Sequence, residues 1–437
     1  MKAHSVDKQN TKQWVALVDG SNFFVSCERA FSPRLQGRPV GVMSNNDGCI
    51  IARSNELKAL GVKMGSPTHK MQHLVRRHRI VLLSSNFTLY ADMNRRVNDV
   101  LSRFSDQVEP YSIDESFLEL SGFFVDGLLE QGRQIEAAVA KEVHLPVGVG
   151  IAPTRTLAKL ANREAKKKQG SQVAVLDAHS SATRLLLEST AVEQVWGVGR
   201  RLAERLQRLG IETAWQLREA PSDLIKRRFS IVLGRVQAEL RGQRCHEQSV
   251  EQPKKQLRVS RSLGQASCDQ QEVLDALRHH VQLAAEKLRG QDSLAKSISV
   301  FLRTNPFRTD LPQHSDSLVF EFDQATSDTS EMLAAARKLL RRLWREGYTY
   351  HKAGVLLLEL LDASQQQLSV LESDENRKLR LRSERLMQVM DQVNQQQGRG
   401  SVTLGVSRKD ATWRAKKASC SPAYTTCWKE LPQVVAR

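Results

Sequence analysis

"YSIDESFLEL", residues Tyr111–Leu120, reads as a β-strand in which two adjacent acids, Asp114 and Glu115, sit among apolar and aromatic neighbours. In a regular strand successive side chains alternate between faces, so adjacent acids would point to opposite sides. At a turn that rule lapses, and both carboxylates can aim at one point. The stretch is therefore expected to be part of a hairpin, "VEPYSIDESFLEL", with the acids at its turn. Either the tip is simply solvated, or both acids do chemistry together with a third acid from elsewhere.

The third acid is expected in "WVALVDGSNFF" (Trp14–Phe24), an apolar run that reaches Asp19 and stops at Gly20, as a buried strand would. "NFTLYADMNRRVNDVLSRFS" carries Leu89, Met93, Val97, Val100, Leu101 and Phe104 at helical spacing. "GRQIEAAVAKEVH" reads as a helix, "LPVGVGIA" as a strand, and "TRTLAKLANREAKKK" as a helix capped by Thr154. The order is β-α-β-β-α-β, a split βαβ pattern, interrupted after the first strand by "RPVGVMSNNDGCIIARS". That insert is two apolar runs around Asp47-Gly48, a hairpin signal because both residue types tolerate positive φ. "NELKALGVKMGSP" follows as a helix ended by Gly61.

The split pattern makes the Asp19 strand and the hairpin neighbours. Three crowded carboxylates repel and raise one another's pKa, which is costly unless cations are bound. Acid ligands without His or Cys suit Mg²⁺ or Mn²⁺. Two such ions about 4 Å apart can activate an attacking hydroxyl and stabilise a leaving oxygen, which points to phosphoryl or nucleotidyl transfer. On the helix after "VGVGIA", Arg155, Lys159, Asn162 and Lys166 share one face. Such a stripe can clamp a triphosphate, or be an ordinary solvated face.

"VEQVWGVGRRLAERLQRLGIETAWQLREA" is read as two short helices joined by Gly197-Val198-Gly199, followed by Arg200, Arg201, Arg205 and Arg208. A helix-hairpin-helix of this kind offers backbone N–H groups to DNA phosphates; a plain αα-hairpin is the alternative. Trp196 and Trp215 are expected in the core of this region. "QPKKQLRVSRSLG" reads as a basic tether, and a second α/β region follows, with strands "SISVFLRT" and "HKAGVLLLEL" and the helix "SEMLAAARKLLRRLWREG". The last part contains a helix carrying Leu386, Val389, Met390 and Val393.

The formal net charge of +17 on 437 residues implies a polyanionic partner, nucleic acid before an anionic membrane surface. No apolar run approaches the roughly 20 residues of a membrane-spanning helix. The opening "MKAHSVDKQNTKQ" has no apolar segment of a secretory signal, and six scattered cysteines fit a reducing cytoplasm.

Together "ALVDGSNFFVSCERAF", "MSNNDGCIIARS", "KALGVKMGSP", "YSIDESFLEL", "VGVGIAPTRTLAKLANREAKK" and "VWGVGRRLAERLQRLGI" resemble a Y-family translesion DNA polymerase of the UmuC type. The likeness extends to "VMDQVNQQQGRGSVTLG" and "CSPAYTTCWKELPQV" in the tail. It implies an α+β, multidomain right-hand polymerase. Its parts would be a ferredoxin-like palm (14–22 and 86–175), small fingers (23–85) and a helix-hairpin-helix thumb (176–248). A tether (249–260), an α/β little finger (261–361) and a UmuC-type tail (362–437) would follow.

The resemblance implies error-prone, template-directed synthesis past lesions in SOS mutagenesis and DNA repair. Asp19, Asp114 and Glu115 would be the catalytic metal ligands, with the Gly20 carbonyl completing a site for two Mg²⁺, or Mn²⁺. Phe24 would be the steric gate against the ribose 2′-OH, where relatives of this type often carry Tyr. Ile51 and Ala52 would lie over the nascent base pair, Asn55 would stand where other branches have Tyr, and Lys58 and Lys166 would contact the triphosphate. Gly197, Gly199, Arg200 and Arg201 would hold DNA. Gln367, Leu368 and Leu371, in "QLSVL", resemble a sliding-clamp peptide. Implied partners are primer–template DNA and dNTP, a UmuD′-type dimer, the RecA filament and the sliding clamp, with no membrane. The implied location is the cytoplasm, at the nucleoid. The alternatives are a partner-independent polymerase of the DinB type and a non-catalytic DNA-binding or polymerase-regulating module.

Overall fold

Val15-Ala16-Leu17-Val18 contains no polar residue, so the strand that carries it must be covered on both faces. It is, in a computed structural model that describes residues 13–120, 125–168, 170–245, 253–365, 374–398, 400–405 and 411–431. These fall into two units, 1–44 with 48–249 and 419–437, and 45–47 with 250–418.

The first unit begins with β1 (Trp14–Gly20) and α1 (Phe23–Phe31). An insert follows: β2 (Val40–Met43), β3 (Ile50–Arg53), α2 (Asn55–Ala59), α3 (Gln72–His78) and β4 (Val81–Ser84). The chain returns as α4 (Phe87–Leu101), β5 (Val108–Pro110), β6 (Glu115–Leu120) and α5 (Val125–Val143). Next come β7 (Val147–Ala152), α6 (Arg155–Ala165) and β8 (Val173–Val175). A helical layer closes the run: α7 (Ser181–Ser189), α8 (Arg200–Gln207), α9 (Ala214–Glu219), α10 (Ser222–Arg228) and α11 (Ile231–Leu240).

The main sheet has the order β5-β6-β1-β7-β8, with β1 antiparallel to both β6 and β7 and β8 parallel to β7. Its first four strands have the ferredoxin-like order that the split pattern predicts. Alternation splits β1 between two cores. Trp14, Ala16 and Val18 face α4 and α5, while Val15 and Leu17 face α6 and the helical layer. The insert has its own three-stranded sheet, β3-β2-β4, over a small core of Met43, Ile50, Leu57, Val62, Met71 and Ile80.

Glycines decide how close α6 comes to β7. A Cβ on Gly150 would lie 2.1 Å from the Asn162 backbone nitrogen and 2.4 Å from the Ala158 carbonyl oxygen. The helix backbone therefore rests directly on the sheet. From there Asn162 donates through Nδ2 to the Leu17 and Gly148 carbonyls, at 3.2 and 2.7 Å. This fixes the rotation of α6 over the end of β1.

The second unit holds β9 (Leu257–Ser267), α12 (Gln270–Arg289), β10 (Ser293–Thr304), β11 (Ser315–Thr326), α13 (Thr329–Leu343) and β12 (Tyr350–Asp362). Its sheet has the order β11-β10-β12-β9, all neighbours antiparallel, under α12 and α13. The final helix, α14 (Asp374–Gln397), is fastened to α12 by the Arg289 guanidinium, whose Nε and Nη2 donate to Asp391 at 2.6 and 2.7 Å.

Three local readings differ from the structure. The segment read as a tether becomes β9 from Leu257, because Leu257 and Val259 are buried against α12 and outweigh the polar residues between them. At the hairpin of the insert, Asn46 and Asp47 take positive φ (61° and 53°), and Gly48 does not. Before Gly197-Val198-Gly199 there is only a three-residue 3₁₀ turn, Val192–Gln194, so the glycines precede α8 rather than join two helices. On α14, Met387 is buried, Met390 and Val393 are half-buried, and Leu386 and Val389 are exposed.

Candidate active site

Asp19 is the penultimate residue of β1 and lies directly opposite Glu115, the first residue of β6. Residues paired across an antiparallel ladder project to the same face, so these two carboxylates share a side. Asp114 precedes the strand, outside its alternation, and its carbonyl accepts the Gly20 N–H at 2.8 Å. The turn is built by Ser112. Its Oγ donates to Asp114 Oδ1 at 2.5 Å and accepts the Asp114 and Glu115 N–H groups at 3.3 and 3.1 Å. The three acids thus come together because a strand end meets a serine-braced turn.

Two ammonium groups from α6 and its C-terminus neutralise the acids. Lys166 Nζ lies 2.7 Å from Asp19 Oδ2, and Lys159 Nζ lies 3.0 Å from each Glu115 oxygen. Burial pushes the Asp19 carboxyl up to about 6 against the pull of Lys166, with Glu115 and Asp114 adding to the rise. Among the described residues no three acidic, His or Cys side chains converge closely enough to hold an ion in this arrangement. The donor chemistry nevertheless fits hard divalent cations. The candidate donors are all oxygen, and two of the carboxylates already sit against the positive charge of lysines.

A cavity of about 370 Å³ opens over Asp19 and Glu115, lined also by Lys159, Asn162, Lys166 and Trp196. Lys159 sits among aromatic rings, 4.6 Å from Tyr111, 5.3 Å from Trp196 and 5.8 Å from Phe117. Cation–π attraction holds it there. Trp196, expected in the core of the helical layer, is instead half-buried at this cavity. Arg155, read as part of the basic stripe, is buried and makes a two-pronged pair with Glu109 at 3.1 and 2.6 Å.

At the start of α1, Asn22 adopts a left-handed conformation with φ 51° and joins two predicted residues. Its Oδ1 accepts from Lys58 Nζ at 2.5 Å, and its Nδ2 donates to Asn55 Oδ1 at 3.0 Å. Burial, Arg53 and Lys166 lower the Lys58 pKa, which places Lys58 and Lys166 within one electrostatic field. Phe24 is half-buried, its ring stacked on Tyr90 at 4.5 Å between centroids. In β3, Ala52 is buried in the core and Ile51 is partly exposed. Gly197 has φ 89°, Gly199 caps α8, and Arg200 and Arg201 are exposed on its first turn. Gln367, Leu368 and Leu371 lie outside the described residues.

The sequence reading saw Lys159 only as part of the basic stripe and did not single out Trp196, Tyr111 or Asn22 as site residues. The "DGSN" turn was a usable signal for Asn22, since Asn tolerates the left-handed region. The box around Lys159 joins three separate segments and left no local trace.

Residues 18–163 match the model of the impB/mucB/samB family, and residues 254–370 match that of its C-terminal domain. Residues 384–434 match a domain of unknown function. The chain is 42% identical to the protein UmuC of Salmonella typhimurium, over 96% of this chain and 99% of that one. It is 40% identical to the protein ImpB of Salmonella typhimurium, over 95% and 98%. DNA polymerase IV 1 of Bacillus subtilis is 27% identical, over 92% of this chain and 95% of that one. Among solved structures, a Y-family DNA polymerase chimera of Dbh and Dpo4 superposes with a TM-score of 0.61 at 21% identity, covering 80% of this chain and 99% of that one. That likeness shows the fold.

Proposed function

Because the chain belongs to the impB/mucB/samB family, we infer that it is a UmuC-type, error-prone, template-directed DNA polymerase performing translesion synthesis in SOS mutagenesis, and that the cavity over Asp19 is its nucleotidyl-transfer site. The observation that carries the site assignment is the pairing of Asp19 with Glu115 beside the Gly20–Asp114 hydrogen bond. A partner-independent polymerase of the DinB type is the weaker reading, since the identity to DNA polymerase IV 1 is 27% against 42% to UmuC.

The enzyme depends on divalent metal; we take the ions to be two Mg²⁺, or Mn²⁺, held by Asp19, Asp114, Glu115 and the Gly20 carbonyl. When bound they supply activation of the primer 3′-hydroxyl and neutralise charge on the triphosphate. The chain's own groups do the rest. Lys166 exchanges its carboxylate partner for a triphosphate oxygen, and Lys58 leaves Asn22 to take another. Both lysines are already held by polar partners, Lys58 by Asn22 although exposed and Lys166 by Asp19, so less ordering entropy is lost when they rebind. Phe24 fills the space beside the sugar C2′ and excludes a hydroxyl by volume. Ile51, with Ala52 behind it, covers the nascent base pair. Backbone N–H groups at Gly197 and Gly199, with Arg200 and Arg201, grip the DNA backbone without reading its sequence.

In this reading the main sheet is the palm, the insert is the fingers, the helical layer is the thumb and the second unit's sheet is the little finger. A UmuD′-type dimer is the expected accessory partner, by likeness to UmuC. The RecA filament and the sliding clamp are proposed further partners, the clamp through Gln367, Leu368 and Leu371. No helix among the described residues is long and apolar enough to cross a membrane. A cytoplasmic, nucleoid-associated location is proposed.

Primer extension with Mg²⁺ on a lesion-containing template tests the site. Asp114→Ala should lower the rate by about a hundredfold or more while leaving DNA binding intact. Equal extension by the variant and the native chain would overturn the assignment.

A further inference from the structure

The domain of unknown function at residues 384–434 reaches the first unit with its last described part, Ser419 to Leu431. Ser84 N–H donates to the Ser419 carbonyl at 2.9 Å, and Ser419 N–H donates to Ser84 Oγ at 3.0 Å. Asn86 Nδ2 donates to Ser421 Oγ at 3.0 Å and to the Ser421 and Pro422 carbonyls at 3.3 and 3.2 Å. Tyr424 stacks on Phe31 at the end of α1, with ring centroids 4.9 Å apart and planes within 6°. The segment is thus pinned both to α1 and to the start of α4.

Between those anchors lies Glu28, a carboxylate only 1% exposed. Its Oε1 accepts from Tyr90 Oη at 2.7 Å and from Ser421 Oγ at 3.1 Å. Burial raises the Glu28 pKa, and these two hydroxyls pull it back. A buried carboxylate with few donors depends on each of them. Tyr90 in turn is fully buried and presents its ring to Phe24, nearly parallel at 15°. The chain of contacts is short: Ser421 to Glu28, Glu28 to Tyr90, Tyr90 to Phe24.

We propose that this C-terminal segment is a brace for the sugar gate, with Ser421 a positioning residue that sets Phe24 through Glu28 and Tyr90, so that the tail tunes discrimination between deoxyribonucleotides and ribonucleotides. The inference rests on the reading of Phe24 as the gate. Tyr90 cannot shift while Glu28 holds its hydroxyl, and Glu28 is held from the other side by Ser421. Removing the Ser421 hydroxyl leaves the carboxylate with one side-chain donor and lets the Tyr90 ring, and the Phe24 ring on it, settle elsewhere.

The test is single-nucleotide incorporation by the full-length chain, with the same accessory proteins in every reaction. It compares kcat/KM for a dNTP with that for the matching rNTP. Ser421→Ala should lower the discrimination ratio by about fivefold, mostly through the rNTP KM, with the dNTP kcat little changed. Ser421→Thr, which keeps the hydroxyl, should restore it. Tyr90→Phe, which cuts the same chain from the other side of Glu28, should lower the ratio similarly. Phe24→Ala should abolish most of it. If Phe24→Ala loses discrimination while Ser421→Ala and Tyr90→Phe keep it, the brace is refuted and the gate stands. If Phe24→Ala keeps it, the gate assignment fails and the brace with it.

Discussion

Asp19 is ionised at pH 7 against the preference of its surroundings, since burial lifts its pKa from 3.8 to about 6. The sign of the linkage follows. The folded chain takes up a proton at higher pH than the unfolded one, so this group penalises folding above pH 6, and the penalty fades as pH falls toward 3.8. Asp19→Asn should therefore unfold at a higher temperature than the native chain at pH 7 in the absence of divalent ions, with the gap narrowing toward pH 4. Thermal melts across that range check it, and a lower melting temperature at pH 7 would contradict the burial argument. Cations and this proton compete for Asp19, so the affinity of the metal-free chain for divalent ions should weaken as pH falls through about 6. At this scale the acids, Lys58 and Lys166 were legible because each lies in a short motif. Lys159 was seen as part of a stripe but not as the Glu115 partner, because its setting depends on Tyr111, Phe117 and Trp196.

Among the elements, the packing of α6 on β7 does most to place the site. Gly150 allows the contact, and Asn162 locks it. Gly150→Ala would force a methyl group against the backbone of α6 and should destabilise the chain by about 3 kcal/mol, at the upper end of overpacking costs. It should also lower activity, because Lys166 and Lys159 move with the helix. Urea melts and extension assays together check this, and a neutral variant would mean that α6 is not held by that glycine. Four strands of the main sheet were readable because periodic helices and a hairpin connect them, so their order followed from the split βαβ rule, whereas the short fifth strand, β8, was not expected. The start of β9 was not readable either. Gln256, Arg258 and Ser260 outvote Leu257 and Val259 by composition, and only the pairing with β12 reveals the strand.

For the molecule as a whole, a net charge of +17 predicts that DNA is held largely through phosphates. Affinity for primer–template should fall steeply with salt, and replacing both Arg200 and Arg201 by Ala should flatten the log–log slope by about 2. An unchanged slope, measured by fluorescence anisotropy, would remove these arginines from the DNA interface. The hydrogen bond between Ser421 and Glu28 has a consequence of another kind, because it joins residues 393 positions apart. A ribosome delivers the acids, the lysines and the gate ring long before it delivers Ser421. The contact is among the most distant in sequence, so it closes late and pays a large loop-closure entropy. A chain interrupted by a late stop codon, or clipped by a protease ahead of Ser419, would carry every group needed to make a phosphodiester bond. It would lack the hydroxyl that steadies the choice of sugar, and its expected signature is ribonucleotides left in the DNA it copies.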